Sequence, residues 1–483
     1  MNIPLKDNTL LKKQCYINGQ WMDSDSEATI EVTNPYDGQL LAEIPLLSEK
    51  QVKEAIHFAH QAFYLWKNIH AMQRADLLRK WLDLVLENIM DLATIMVLEQ
   101  GKPLKEAIGE IKYAASYIEF YAEEAKRIYG DILPSPFPQS RVFVIKQAVG
   151  VVGIITPWNF PAAMMVRKIA PALAAGCTCV IKPDEKTPLS GFAMIELAHR
   201  AGIPKGVLNI VTGIPAEIGK VFTSSSLMRK ISFTGSTRVG KILMRDSADQ
   251  VKRLSLELGG NAPFIVFDDA NIADAIEGVM VAKFRNAGQT CVCANRIFVH
   301  EAVFDEFTIG LKEAMDQLRV GNGMDEVDVG PLINQEAIDK VERLLADAQG
   351  KGARIDAGGK KHPLGGTFFE PTIITDIRPN MEIFDEEIFG PIASIVKFKT
   401  EAEVISLANN TKFGLASYFY AQNMAKIWRV AEALEYGMVG INRGAISSAY
   451  VPFGGIKESG MGREGSKYGI EDYLNVKYVC MGE

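Results

Sequence analysis

The sequence predicts an α/β protein built on a parallel sheet, and three observations point there. From Gly150 to Leu256, short apolar runs alternate with helical runs. The apolar runs lack the apolar–polar alternation of a half-exposed strand, so they read as strands buried on both faces. Several of them end in glycine and small polar residues, where an open parallel sheet takes its ligands. At roughly 100–200 residues per domain, the 483 residues suit two to four domains.

The element order supports this class. Cys15–Met22 reads as a hairpin turning at Asn18-Gly19. A helix opens at Ser48 with Gln51 three residues on, a capping-box pattern, and Val52, Ile56, Ala59 and Phe63 share one face. A second helix is expected over Gln73–Glu99, stopping at Gly101 and Pro103, and a third over Lys105–Tyr129. Pro134, Pro136 and Pro138 then break the chain. Arg141–Lys146 is expected as a strand outside the core, a free edge for pairing with another chain.

The predicted strands that follow are Val151–Ile155, Cys177–Lys182, Val207–Val211, Lys230–Phe233 and Val251–Leu256. Between them lie helices over Ala162–Ala175, Ser190–Ala201, Pro215–Phe222 and Arg238–Ala248. After Glu257-Leu-Gly-Gly260 a second alternation begins. It has strands at Pro263–Phe267 and Arg296–His300, helices at Ile272–Arg285, Val303–Leu318 and Glu336–Gly350, and a last strand at Tyr473–Met481.

Composition narrows the function. Apolar content is 48% and net charge −7, with both signs mixed along the chain. A nucleic-acid or membrane-surface binder would carry a basic stripe instead. Met1–Lys13 has no signal-peptide pattern, and no apolar run approaches the roughly 18–20 residues of a membrane span. The expectation is a soluble, cytoplasmic protein. Six cysteines in a chain this long are not a disulfide scaffold, and neither Cys-x-Cys pair has the partners of a zinc site.

The chemistry-bearing residues cluster at strand ends: Thr156-Pro-Trp-Asn-Phe-Pro161, Lys182-Pro-Asp-Glu185, Thr212-Gly213 and Thr234-Gly-Ser-Thr237. Backbone donors and helix N-termini at such ends suit a nucleotide. The fingerprint G-x-G-x-x-G is absent. Gly235–Lys241 nearly matches a P-loop, but Ile242 stands where Ser or Thr would hold magnesium. Cys291 has three readings: a buried structural thiol, half of a redox pair with Cys293, or a nucleophile. Gly288, Gln289 and Thr290 before it suggest a loop presenting the thiol at a helix or turn start, where N–H dipoles favour a thiolate. Glu257 reads as a capping residue or a general base, and Glu387 as a solvated carboxylate or a site residue.

Taken together, these motifs resemble the aldehyde dehydrogenases over nearly the whole chain. Glu257-Leu-Gly-Gly260, Gly288-Gln-Thr-Cys291, Glu386-Glu-Ile-Phe-Gly-Pro391 and Pro452-Phe-Gly-Gly455 carry the resemblance with those above. Lys283–Cys293 and Gly462–Asp472 are similar to the succinate-semialdehyde dehydrogenase branch. The resemblance implies a Rossmann-type NAD(P)-binding domain over 1–130 and 148–257. It implies a second α/β catalytic domain over 258–470, and a β-strand oligomerisation arm over 131–147 and 471–483 of a homodimer or homotetramer.

It implies roles as well. Cys291 attacks the aldehyde, Asn159 helps hold the oxyanion, and Glu257 activates the hydrolytic water. Ile155, Thr156, Pro157, Trp158, Lys182, Glu185, Gly213, Gly219, Phe233, Thr234, Gly235, Ser236, Leu258, Glu387 and Phe389 match cofactor positions. Arg167, Arg285 and Ser447 match the partners of a substrate carboxylate, so the expected substrate is succinate semialdehyde or a longer ω-semialdehyde such as glutarate semialdehyde. The carboxylate of Glu185 suits a free ribose diol and repels a 2′-phosphate, which favours NAD while NADP remains an alternative. Cys293 matches the second thiol of a redox pair. A catalytically silent relative would be expected to lack some of Cys291, Glu257 and Asn159, and all three are present.

Overall fold

The chain enters its first sheet through the predicted hairpin. Strands β1 (Cys15–Ile17) and β2 (Gln20–Met22) are joined by Asn18 and Gly19, both at positive φ. This is the turn chemistry that keeps two twisted strands in register. A separate antiparallel pair follows, β3 (Thr29–Thr33) with β4 (Leu40–Pro45). The computed structural model describes residues 5–482. Met1–Pro4 and Glu483, at the outer ends of the expected segments 1–130 and 471–483, lie outside the described residues.

Four helices come next. α1 (Glu49–Trp66) starts with the predicted capping box, Ser48 and Gln51 each accepting from the other's backbone N–H. The helix expected over Gln73–Glu99 is two helices, α2 (Ala71–Glu87) and α3 (Ile89–Gln100), broken at Asn88 with φ −105° and ψ 18°. The apolar pattern runs through the break because both pieces pack on one core, so periodicity alone does not register it. α3 ends at Gly101, φ 90°, and α4 (Leu104–Glu124) follows.

β5 (Asp131–Leu133) and β6 (Ser140–Ala148) then lead into the parallel sheet. Its strands are β7 (Val151–Ile155), β8 (Thr178–Lys182), β9 (Leu208–Ile210), β10 (Met228–Thr234) and β11 (Arg253–Glu257). The crossovers are α5 (Pro161–Ala175), α6 (Pro188–Arg200), α7 (Pro215–Ser224) and α8 (Thr237–Ser247). Every residue of α5 is buried, which explains its small side chains. It is clasped between the sheet and the α2–α4 layer, where larger residues would hold the layers apart.

The second sheet contains β12 (Ala262–Val266), then α9 (Ile272–Phe284) and β13 (Ala294–His300). The remaining members are β14 (Arg354–Ala357), β15 (Thr372–Thr375), β16 (Ile392–Phe398), β17 (Ala416–Tyr420) and β18 (Met438–Ile441). Its order is β14-β15-β16-β13-β12-β17-β18, parallel except at β14. β19 (Gly460–Met461) crosses back to pair with β11, Glu257 opposite Gly460. The first sheet therefore runs β19-β11-β10-β7-β8-β9-β1-β2.

β20 (Leu474–Gly482) pairs antiparallel along the whole of β6, and β5 pairs with β6 on its other side. The segment expected as a free edge is thus the centre of a three-stranded ribbon. Chain order hides this, because the covering strand comes more than 300 residues later. Ile132, Val476 and Tyr478 stand exposed on the ribbon.

The corner between α3 and α4 ties the layers together. A Cβ on Gly101 would lie 2.8 Å from Pro331 and 3.0 Å from Pro35, and its φ suits glycine. Leu104 N donates to Gly323 O at 2.8 Å across the same contact. Gly101→Ala is expected to destabilise the protein by about 1–3 kcal/mol, read as a lower urea midpoint; an unchanged midpoint would contradict the packing described.

Candidate active site

The carboxyl ends of the first sheet open into a cavity of about 350 Å³. Pro157, Trp158 and Asn159 after β7, Thr234, Gly235 and Ser236 at β10, and Leu258 after β11 form one wall. Cys291, Lys340, Glu387 and Phe389 form the other. The Trp158 and Phe389 rings meet edge to face at 5.6 Å. The Ser236 hydroxyl caps α8 by accepting from Val239 N at 3.3 Å, so a helix N-terminus faces this wall.

The remaining predicted cofactor residues flank the cavity rather than line it. Ile155 and Thr156 end β7, and the Thr156 hydroxyl is buried without a partner. Lys182 closes β8 and pairs with Glu185 at 2.8 Å. Burial pushes the Glu185 carboxyl up, but the charge and hydrogen bond of Lys182 outweigh it and hold the carboxyl low. Gly213 is buried after β9, Gly219 lies half-buried in α7, and the Phe233 ring packs under Gly235. Only Gly235 and Ser236 separate β10 from α8, and Lys241 pairs with Glu458 at 2.7 Å. The near P-loop is therefore a tight strand–helix turn with its lysine pointing elsewhere.

A second cavity, of about 280 Å³, lies on the far side of Cys291. Arg167, Arg285, Ser447, Phe160, Tyr113 and Phe453 are among its walls, and Cys291 and Met164 line both spaces. Arg167 is buried, ion-paired with Glu464 and stacked on Phe453 at 4.4 Å. Its Nη1 and Nη2 are buried without hydrogen-bond partners, as is Nε of Arg285. Arg285 lies over the Phe160 ring at 5.5 Å and forms no ion pair among the described residues.

The backbone before Cys291 is unusual. Asn286, Ala287 and Gly288 take φ of 53°, 53° and 75° in succession. The first two are non-glycine residues in a disfavoured region. At Gly288 a Cβ would fall 2.1 Å from Gly390 O. Side chains hold the run in place. Glu106 accepts from Asn286 N at 2.8 Å and Gln100 donates to Asn286 Oδ1 at 3.0 Å. Asn286 Nδ2 donates to Asn159 O at 3.0 Å, and Asn159 Nδ2 donates to Gln289 O at 2.9 Å. Gln100, Glu106 and Asn286 are clamps that sequence reasoning missed. The one signal for Gln100 and Glu106 is an amide or carboxylate on a helical stretch, and it does not say what they hold.

Burial pushes the Cys291 thiol up to about 12; Arg167 and Arg285 pull it down while Glu387 and Glu257 push it up. Desolvation thus opposes the expected dipole-favoured thiolate. The loop runs into β13 rather than a helix, so Cys291 does not itself open a helix. Cys293 is turned into the core, its thiol donating to Lys283 O at 3.5 Å. Both thiols are free, and a disulfide between them would require Cys293 to leave that site.

Glu257 is buried at the end of β11 with Oε2 unpartnered, and it caps no helix among the described residues. Burial pushes its carboxyl well up, Glu464 adds to this, and Arg167, Lys168 and Arg463 oppose it. Glu387 is half-buried and accepts from Gly260 N at 3.1 Å. Burial raises it to about 7 against that hydrogen bond, Lys340 and Lys283.

The sequence profile of the aldehyde dehydrogenase family matches residues 21–479. The chain belongs to that family. Relatives of this aldehyde dehydrogenase include the glutarate-semialdehyde dehydrogenase of Pseudomonas aeruginosa, 55% identical over 479 residues and covering 99% of each chain. The succinate-semialdehyde dehydrogenase [NADP(+)] of Escherichia coli is 54% identical over 479 residues, again 99% of each. A crystal structure of an E. coli NADP dependent enzyme matches with TM-score 0.99 and 55% identity, covering 99% of this chain and 100% of that one. The protein is an NAD(P)-dependent oxidoreductase with the aldehyde dehydrogenase fold.

Because the thiolate is the reactive form, alkylation of Cys291 by iodoacetamide in the ligand-free enzyme should rise roughly tenfold per pH unit from about pH 7 to about pH 9. The rate is read on the Cys291 peptide by mass spectrometry. A plateau near neutral pH would contradict the raised thiol.

Proposed function

We propose that the enzyme oxidises a short ω-semialdehyde with a terminal carboxylate, succinate semialdehyde first, to the corresponding dicarboxylate. The observation that carries this reading is the unpaired guanidinium nitrogen of Arg167 and Arg285 in the small cavity closed by Cys291. A buried donor without a partner is costly, and a carboxylate satisfies guanidinium donors in a planar, two-point fashion. Ser447 offers a hydroxyl beside them. Glutarate semialdehyde is the second reading, favoured by the relative of that name at 55% identity. One methylene separates the two, and such a difference is worth about 10–200-fold in discrimination.

The larger cavity fits a dinucleotide. The α8 N-terminus and glycine-rich strand ends suit a pyrophosphate. Glu387, raised toward neutrality and close to Gly260, suits a ribose hydroxyl, and the Trp158–Phe389 pair an adjacent ring. Glu185, drawn toward Lys182, would accept from a 2′-hydroxyl and repel a 2′-phosphate, which makes NAD the preferred cofactor.

In the reaction, the Cys291 proton leaves to solvent in the adjoining cavity, a loss that Arg167 and Arg285 favour, and Sγ attacks the aldehyde carbon. The Asn159 amide and the Cys291 backbone N–H hold the oxyanion that forms. Bound NAD(P)+ supplies the hydride acceptor, and the acyl group remains on Sγ as a thioester. Glu257, whose Oε2 is unpartnered, acts as its carboxylate, which burial makes a stronger base, and takes a proton from the water that hydrolyses the thioester.

Arg285→Ala should lower kcat/KM for succinate semialdehyde by about 100-fold or more, as for a buried charge pair losing one partner, with a small change for butanal. Equal losses on both aldehydes would remove Arg285 from substrate recognition. In steady-state kinetics with both cofactors, kcat/KM is expected to favour NAD, and Glu185→Ser should narrow the gap; a clear preference for NADP would overturn the assignment.

A further inference from the structure

A buried ion pair beside the site has no part in this chemistry. Lys102 and Glu110 have side chains 0% and 1% exposed and approach to 2.5 Å. Burying such a pair is expensive unless every remaining donor and acceptor is used, and here they are used on one target. Lys102 Nζ also donates to Asn159 O at 2.8 Å and sits 4.0 Å over the Phe160 ring. The other carboxylate oxygen of Glu110 accepts from Ala162 N and Ala163 N, at 3.0 and 3.1 Å. These are free donors at the start of α5, which has no side-chain cap of its own.

We infer that Lys102 and Glu110 are positioning residues that aim the Asn159 amide, by fixing the backbone on both sides of it. Glu110 acts as a helix cap supplied from another helix, and Lys102 locks the carbonyl immediately before Phe160. Asn159 O also receives Asn286 Nδ2, so the same lock sets the oxyanion donor relative to the Cys291 loop. Lys102 reaches this point because Gly101 ends α3 and turns the chain inward. The inference rests on the reading of Asn159 as an oxyanion donor. Such a donor is effective only when aimed at the oxygen's future position, so a small displacement weakens it.

The test measures the pre-steady-state rate constant of NADH formation with succinate semialdehyde for Lys102→Met, Asn159→Ala and the double variant. Folding is checked by circular dichroism and thermal unfolding. Lys102→Met is expected to slow the step roughly 10–100-fold, with aldehyde KM changed less than about threefold. In the Asn159→Ala background the same replacement should cost less than about threefold. Equal losses in both backgrounds, or none in the wild-type background, would overturn the inference. If Asn159→Ala alone leaves the rate unchanged, the oxyanion reading fails and takes this inference with it. Should Lys102→Met not fold, Glu110→Gln keeps an acceptor for the α5 N–H groups and serves in its place. The expected loss is then about 3–10-fold and again absent with Asn159→Ala; additive losses would overturn the inference.

Discussion

The left-handed run Asn286–Gly288 is the constraint on which the site depends. Two non-glycine residues at φ 53° store strain of about 1–3 kcal/mol each, which a free loop would release. Three contacts prevent that: Gln100 from α3, Glu106 from α4 and the chain at Asn159 before α5 all bond to Asn286. The sulfur of Cys291 is thereby placed at the junction of two cavities. The large α2–α4 layer, which contributes no catalytic group in the proposed chemistry, is the scaffold against which the catalytic loop is braced.

Burial then sets the electrostatics. Two carboxyls and two guanidinium groups act on the Cys291 thiol from around it, where low solvation makes interactions between charges strong. Desolvation raises Cys291, Glu257 and Glu387, so burial works against the charged form of each. Arg167 is the exception, since Glu464, Tyr117, Tyr113 and Glu257 together outweigh the burial that opposes its charge. The site sets acids whose charge is disfavoured beside partly unsatisfied guanidinium donors, an environment that receives an anionic substrate.

Much of this was legible in the sequence. Val151–Ile155, Thr178–Lys182 and the other strands of the first sheet announce themselves because double burial removes polar residues from them. Cys291, Glu257, Asn159 and the arginines were found through motif resemblance. What could not be read depends on distant chain segments. The break at Asn88 is set by packing, and the covering of β6 needs residues 474–482. Glu464 beside Arg167 and the clamps on Asn286 are side chains far apart in sequence. The thiol's protonation could not be read either, because the local Gly-Gln-Thr context suggests dipole stabilisation while the actual surroundings are desolvating.

The central claim, a covalent acyl intermediate on Cys291 that Glu257 helps to hydrolyse, has a direct measurement. Glu257→Gln enzyme is mixed with succinate semialdehyde and NAD, quenched in acid, digested and analysed by mass spectrometry. The account predicts a succinyl group on the peptide containing Cys291, attached at that residue, accumulating with a burst of NADH. A burst of NADH with no acylated Cys291, or an acyl group found on Cys293 instead, would contradict it.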